Sequence, residues 1–382
     1  LHEVDLFIIG GGVNGAGIAR DAAGRGLSVL LCEQDDLAAA TSSCSSKLIH
    51  GGLRYLEQYE FRLVAEALAE REVLLATARH LVWPARFVMP HVPELRPRWM
   101  IRAGLFLYDH LARRALLPGS QAVRLDEPPY SSGLKPQLRH GFAYSDCRVD
   151  DARLVVANAM DARERGAAIL TRTACLQARR EGGAWQAKLS NGDSVRARAI
   201  VNAAGPWVKR LLNERLAQPS RDAVRLVKGS HIVLPRLYQG EHAFILQNDD
   251  RRVVFMIPYE ERYTLVGTTD VPEALEAPPA ASDAEVEYLC RAVNRYLEVP
   301  ARPGDVAWRF AGVRPLYDDG SSDPSAVTRD YTLRVDDAAG AAPVLSVFGG
   351  KITIFRKLAE HALEKLAPYF PGLKPAWTAG AQ

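Results

Sequence analysis

Apolar residues near the start of the chain come in short unbroken runs, Leu6 to Ile9 and Val29 to Cys32. Runs of this length without polar alternation predict strands of a parallel sheet covered on both faces. Between them lie Gly10-x-Gly12-x-x-Gly15 and a helical pattern, and Glu33 closes the second run. Strand, glycine turn, helix, strand and terminal acid are the parts of a dinucleotide-binding βαβ unit. In such a unit Gly10 permits the tight turn, Gly12 lets the backbone approach a diphosphate, and Gly15 lets helix and sheet pack closely. Helix N–H groups then face the diphosphate, and Glu33 is placed to accept hydrogen bonds from the adenosine ribose, which disfavours a 2′-phosphate. The fingerprint by itself fits FAD and NAD equally.

Further on, apolar positions at helical spacing predict a core-packing helix over Phe61 to Leu81. Pro84, Pro90, Pro93 and Pro97 then predict extended or looping chain. Arg98 to Arg114 has a second helical period with several arginines, read as a helix packed on the protein with solvated cations in preference to one lying on an anionic membrane. A helix is predicted over Asp150 to Arg165, then strands over Ile169 to Gln177, Trp185 to Leu189 and Val195 to Asn202, with turns at Glu181-Gly-Gly and Asn191-Gly. The last strand runs into Ala203-Ala-Gly205-Pro-Trp207, a second place where backbone can approach a flat or phosphorylated ligand. Strand-like pieces dominate from Arg225 to Val335, interrupted by a helix over Ser282 to Tyr296 whose Ser282 and Glu285 match a capping box. The pattern ends with Val344 to Phe348, Gly349-Gly350, and a helix carrying Lys351 near its start.

Composition narrows the class. With 382 residues, 48% hydrophobic and 24% charged, the chain is long enough for two cores and is neither disordered nor fibrous. A net charge of +3 gives no ground for a nucleic-acid partner. The five cysteines have no disulfide or zinc-ligand spacing, so reduced thiols in the cytoplasm and no metal site are expected. No apolar run is long enough to span a bilayer, no basic leader precedes the first strand, and a first residue Leu1 suggests a trimmed chain.

The stretch from Ala40 to Glu57 is rich in hydroxyls, with Thr41, Ser42 and Ser46 ahead of Lys47, Leu48, His50 and Arg54, and it predicts a loop wrapping a polar ligand where a bound dinucleotide emerges. Strand-to-glycine elements at Gly10, Gly205 and Gly349 predict one discontinuous nucleotide domain with a second domain inserted twice. The expected division is 1–81, 141–224 and 336–370 for the nucleotide domain, and 82–140 and 225–335 for an α+β substrate domain with an antiparallel sheet. A cofactor gripped by both ends of the chain fits a flavin better than a nicotinamide. Lys351 at a late helix N-terminus would favour negative charge on its reactive ring.

Ser45-Ser-Lys-Leu-Ile-His-Gly-Gly-Leu-Arg-Tyr-Leu-Glu57, Lys228-Gly-Ser-His-Ile-Val, Gly267-Thr-Thr-Asp, Gly312-Val-Arg-Pro-Leu, Thr328-Arg-Asp-Tyr and Phe348-Gly-Gly-Lys occur in that order. In these motifs the chain resembles the FAD-dependent, aerobic respiratory glycerol-3-phosphate dehydrogenase family over essentially its whole length. The resemblance implies a Rossmann-like FAD-binding domain of the amino-acid-oxidase-like flavoprotein type with an inserted antiparallel-sheet domain. It implies oxidation of sn-glycerol 3-phosphate to dihydroxyacetone phosphate, with electrons passing through FAD to a quinone. Asn14, Trp207, Gly350, Lys351 and Thr353 join the glycines, Glu33 and the hydroxyl-rich loop, His50 included, as expected cofactor contacts. The family also has a helical domain beyond the position of Gln382, which leaves a homodimer and the membrane contact open.

The substrate carries a dianionic phosphate and a secondary alcohol, so its site needs permanent cations and a group to take the hydroxyl proton. Arg54, Arg314, Arg329 and Lys351 are the cations in the matched motifs, with Tyr55 beside Arg54; Arg314 and Lys351 are also catalytic candidates. For the base, His50 and His231 stand equal. The alternatives are an oxidase handing electrons to oxygen and a flavin-binding regulatory protein without turnover. The expected location is the inner face of the cytoplasmic membrane, peripherally bound.

Overall fold

The computed structural model describes residues 1–220, 222, 224–318, 330–337 and 340–381. In chain order the elements are β1 His2–Ile9, α1 Val13–Gly24, β2 Val29–Cys32, β3 Leu48–Ile49, α2 Phe61–Thr77, β4 Val82–Pro90, α3 Arg98–His110, β5 Gln121–Arg124 and β6 His140–Val149. There follow α4 Asp151–Glu164, β7 Ala168–Leu170, β8 Cys175–Glu181, β9 Ala184–Leu189, β10 Ser194–Asn202, the single turn α5 Val208–Arg210, β11 Val224–Pro235, β12 Ala243–Gln247, β13 Val253–Tyr259, β14 Tyr263–Gly267 and β15 Val271–Pro272. The chain closes with α6 Asp283–Asn294, β16 Trp308–Tyr317, β17 Thr332–Asp336, β18 Val344–Phe348 and α7 Phe355–Leu366.

Two compact units result: residues 1–45, 150–227 and 313–382 form the first, and residues 46–149 and 228–312 the second. In the first, strands run in the order β17-β18-β10-β1-β2-β7, with the β8–β9 hairpin added through β9 to β10. β1 is parallel to β10 and β2, and β10 to β18. Leu6, Ile8, Leu31 and Val201 join Ile18, Ala19, Leu358 and Leu363 in one core, while Phe7, Leu30, Ile200 and Phe348 join Trp185 and Val208 in another. Burial on both faces is why these strands read as unbroken apolar runs.

The second unit is built on the order β15-β11-β14-β13-β12-β4-β6-β3, with β16 on β11 and β5 on β6. The pairs β3–β6, β4–β6, β5–β6, β11–β14, β12–β13 and β13–β14 are antiparallel as expected, whereas β12 lies parallel to β4. Val286, Leu289 and Val293 of α6 pack with Ile232, Phe244, Val254 and Val266.

Several boundaries differ from the sequence reading. Residues 46–81 belong with the second unit, because β3 pairs with β6 and Val64 and Leu68 of α2 bury against Phe87 and Tyr144. Residues 141–149 belong there as well, since β6 pairs along the whole of β4. Conversely 313–318 and 330–335 belong with the first unit, where β17 pairs antiparallel with β18. The strand expected over Ile169 to Gln177 is two strands, since the chain leaves the parallel sheet after Leu170 and turns back into the β8–β9 hairpin. The helix expected to carry Lys351 begins at Phe355, after a 3₁₀ turn over Ile352–Ile354.

Candidate active site

In the first unit β18, β10 and β1 lie side by side, and each is followed by its glycine turn at the carboxyl end. This is the edge at which open parallel sheets bind ligands. The backbone itself dictates two of the glycines. A Cβ on Gly15 would stand 1.9 Å from the Gly10 carbonyl oxygen, and one on Gly10, at φ +119°, 2.4 Å from that of Ala203. At Gly12 the first obstacle is Ser42 Oγ at 3.1 Å, so Gly12 is held open for something other than packing.

The polar groups around this turn are interlocked. Glu33, half-buried just after β2, accepts from Gly11 N–H at 2.7 Å and Asp35 N–H at 2.9 Å, and its carboxylate keeps further acceptor sites. Ser42 Oγ accepts from Val13 N–H at 3.0 Å, leaving its own proton to donate. Asn14 joins the two ends of the chain: its amide donates to the Gly349 carbonyl at 3.2 Å. Its Oδ1 is buried with no hydrogen-bond partner in the protein, and a Cβ on Gly350, at φ +98°, would meet the same amide at 2.8 Å. An orphaned acceptor among glycines that shape a cradle fits a dinucleotide with donors of its own. Thr41 Oγ1 donates to the Val313 carbonyl at 2.6 Å, fixing the hydroxyl-rich loop to the strand that carries Arg314. Gly205 has φ +54° and open space where a Cβ would point. Trp207 follows it in a short 3₁₀ turn, Lys351 caps the 3₁₀ turn after Gly350, and Thr353 is buried within that turn.

The second unit holds the other candidates. His231 on β11 is buried, its Nε2 2.8 Å from Ser46 Oγ and its ring stacked on Phe310 at 4.9 Å with 10° between planes. The Lys47 ammonium lies 5.8 Å from the centre of that Phe310 ring. Gly267 faces His231 across the β11–β14 pair, and a Cβ there would come within 2.1 Å of the imidazole. Leu48 is buried in β3, and His50 follows it with its ring 6.3 Å from that of Phe255. Arg54 lies 5.5 Å over the ring of Tyr55 and 3.7 Å from Asp270, an ion pair too long to be a bidentate fork. Arg329 lies outside the described residues.

Two buried networks hold these groups in place. Gly51 N–H donates to Tyr108 Oη at 2.8 Å, Tyr108 donates to Asp146, and Arg71 pairs with Asp146 at 2.8 Å. Burial pushes the Asp146 carboxyl up, with the Arg71 guanidinium pulling the other way. Beside His231, Ser230 Oγ and Thr269 Oγ1 each donate to Glu285 Oε1 at 2.8 Å, and Lys228 lies 3.2 Å from Oε2. The capping box of Ser282 and Glu285 is formed as the sequence predicts. Burial pushes the Glu285 carboxyl up, but hydrogen bonds from the Ser282 backbone and from the Ser230, Thr269 and Ser282 hydroxyls outweigh it and hold the group at about 2.

A carboxyl held below its ordinary 4.5 contributes stability that is complete above that value and is lost as pH falls toward about 2. The contribution is of order 3 kcal/mol. Glu285→Gln is expected to be less stable at neutral pH and to lose less stability across that window than the parent. Urea unfolding at stepped acid pH measures it, and parallel curves for the two proteins would contradict the assignment.

Sequence reasoning did not find the Ser46–His231 pair, Phe310, the Asp270 partner of Arg54 or the Tyr108–Asp146–Arg71 network. Gly267, Thr269 and Asp270 were visible as one motif, and each proves to serve a different neighbour: His231, Glu285 and Arg54.

The family model described as FAD dependent oxidoreductase matches residues 5–351. The chain is 60% identical over 387 aligned residues to the glycerol-3-phosphate dehydrogenase of Pseudomonas aeruginosa, covering 100% of this chain and 75% of that one. It is 56% identical to the aerobic glycerol-3-phosphate dehydrogenase of Escherichia coli, over 99% of this chain and 76% of the relative. Among solved structures, the glycerol-3-phosphate dehydrogenase of Bacillus halodurans complexed with FAD superposes with a TM-score of 0.73 at 27% identity, covering 99% of this chain and 67% of that one.

Proposed function

The chain belongs to the FAD dependent oxidoreductase family, and from that premise we propose that it oxidises sn-glycerol 3-phosphate to dihydroxyacetone phosphate and passes the electrons to a membrane quinone. The observation that carries the cofactor reading is the set of three glycine turns on adjacent parallel strands, the first and the last of them joined by Asn14. The substrate reading is supported by 60% identity along the whole chain to a glycerol-3-phosphate dehydrogenase.

FAD, when bound, supplies the acceptor for the hydride that leaves C2. Glu33 would hold its ribose, the Gly10 to Gly15 turn and Ser42 its diphosphate, and the loops of Gly205, Trp207, Gly349, Gly350, Lys351 and Thr353 the remainder. Thr41, Ser46, Lys47, Leu48 and His50 are the loop positions assigned beside it. Of the two histidines we assign the base to His231, because Ser46 and Phe310 fix its ring in one orientation, and an oriented imidazole is what abstraction of a hydroxyl proton requires. Arg54, Arg314 and Arg329 are assigned to the phosphate, with Tyr55 supporting Arg54 and Lys351 adding positive charge toward the cofactor. The second unit is thereby the substrate-binding one and the first the FAD-binding one.

Arg54→Ala or Arg314→Ala is expected to retain FAD while weakening substrate about tenfold to a hundredfold, the loss of one charge-assisted fork. Rapid anaerobic mixing with varied glycerol 3-phosphate separates binding from the limiting rate. Loss of FAD with normal substrate saturation in both variants would contradict the assignment. The acceptor is tested in the same preparation: turnover that needs added quinone or dye fits the proposal, and stoichiometric peroxide without either contradicts it. We assign the protein to the inner face of the cytoplasmic membrane, peripherally attached, where it would reach a lipid-soluble acceptor; no helix among the described residues is long and apolar enough to cross a membrane.

A further inference from the structure

Helix α3 is apolar on two opposite sides. Ile101, Leu105 and Tyr108 are buried in the second unit's core. Trp99, Ala103, Phe106 and His110, which recur at helical spacing on the side away from that core, are exposed, Trp99 at 71% and Phe106 at 60%. Met100 and Leu107 extend the same outer face. Apolar helix faces are ordinarily buried, and of the two on this helix only one is. Nor is it free to roll over, because Tyr108 Oη is tied to Asp146 and Gly51 in the buried network.

We propose that this outer face of α3 enters the headgroup region of an anionic lipid surface and is the attachment site of the protein, an inference that rests on the peripheral-membrane reading above and gives it a location. Charge decides in favour of lipid over another protein surface. Arg98, Arg102 and Arg113 lie exposed beside the apolar face, whereas the one acid of the helix, Asp109, is neutralised by Arg114 at 2.7 Å. Burial under protein would strip these guanidinium groups of water. At a lipid interface their stems lie along the apolar boundary while their heads reach phosphates. Trp99 and Phe106 suit the same boundary, the indole keeping its N–H in the headgroup layer.

The test uses the FAD-loaded full-length protein and vesicles of phosphatidylglycerol and phosphatidylethanolamine. Trp99→Ser with Phe106→Ser is expected to weaken vesicle binding at least about tenfold, and Arg98→Ala with Arg102→Ala by about fivefold per charge at low salt, with dye-linked turnover in detergent unchanged. Trp99 fluorescence, taken as the difference from Trp99→Phe, is expected to shift to the blue on vesicle addition. Undiminished vesicle binding by the serine variant overturns the assignment of α3 while leaving membrane attachment standing. Absence of binding by the parent at low salt overturns both. Loss of self-association in place of vesicle binding in the serine variant also overturns it, since the face would then cover a second copy.

Discussion

Gly15→Ala is expected to give protein that does not retain FAD. The added methyl would stand 1.9 Å from the Gly10 carbonyl oxygen, and the atoms it meets are backbone, so α1 or the turn before it has to shift. Overpacking of this kind costs about 1 to 3 kcal/mol or more, and the shift falls on the N–H groups that would face the diphosphate. Gly12→Ala separates the two contributions. There the methyl meets only Ser42 Oγ, at 3.1 Å, so the fold should hold while cofactor affinity falls. Circular dichroism, with absorbance of FAD released on denaturation, measures both variants. A folded Gly15→Ala protein with a full complement of FAD would contradict the reading of the turn.

His231→Ala is expected to slow substrate-driven flavin reduction about 10²- to 10⁴-fold, the usual contribution of a positioned general base, with FAD still bound. Ser46→Ala, which frees the imidazole without removing it, is expected to lie between that variant and the parent. His50→Ala is expected to slow reduction less than His231→Ala, because the Ser46 hydroxyl and the stacked Phe310 ring hold His231 in the single orientation that proton abstraction requires. Stopped-flow reduction at saturating glycerol 3-phosphate ranks the three. If His50→Ala is the slower, the base belongs there.

The parts of the fold legible in the sequence are those governed by local rules. The first βαβ unit, the Ser282–Glu285 cap and the two hairpin turns each need only a few neighbouring residues to be specified. Unit boundaries were less legible, because they depend on which partner a strand finds. β3 is two residues long and belongs to the second unit only because β6 is there to pair with it, and β17 joins the first sheet only through β18. The same holds for the candidate site. Gly10, Gly12 and Gly15 were readable from spacing, whereas the Ser46–His231 pair spans 185 positions and the Asn14–Gly349 bond 335. Glu285 was read as a cap, which it is, but its second oxygen holds Ser230 and Thr269, a role that no periodicity announces. The arginines of α3 were legible as charge. Its outward apolar face was not, because deciding which apolar positions are buried requires the core they pack against.

The central claim, that this chain uses FAD to oxidise sn-glycerol 3-phosphate, is tested most directly by anaerobic titration of the purified yellow protein with that substrate. The visible flavin absorbance is predicted to bleach on addition of glycerol 3-phosphate, with dihydroxyacetone phosphate formed in equal amount, and to return when quinone is added. A flavin that stays oxidised under saturating substrate, or a protein that releases NAD or FMN in place of FAD on denaturation, would contradict it.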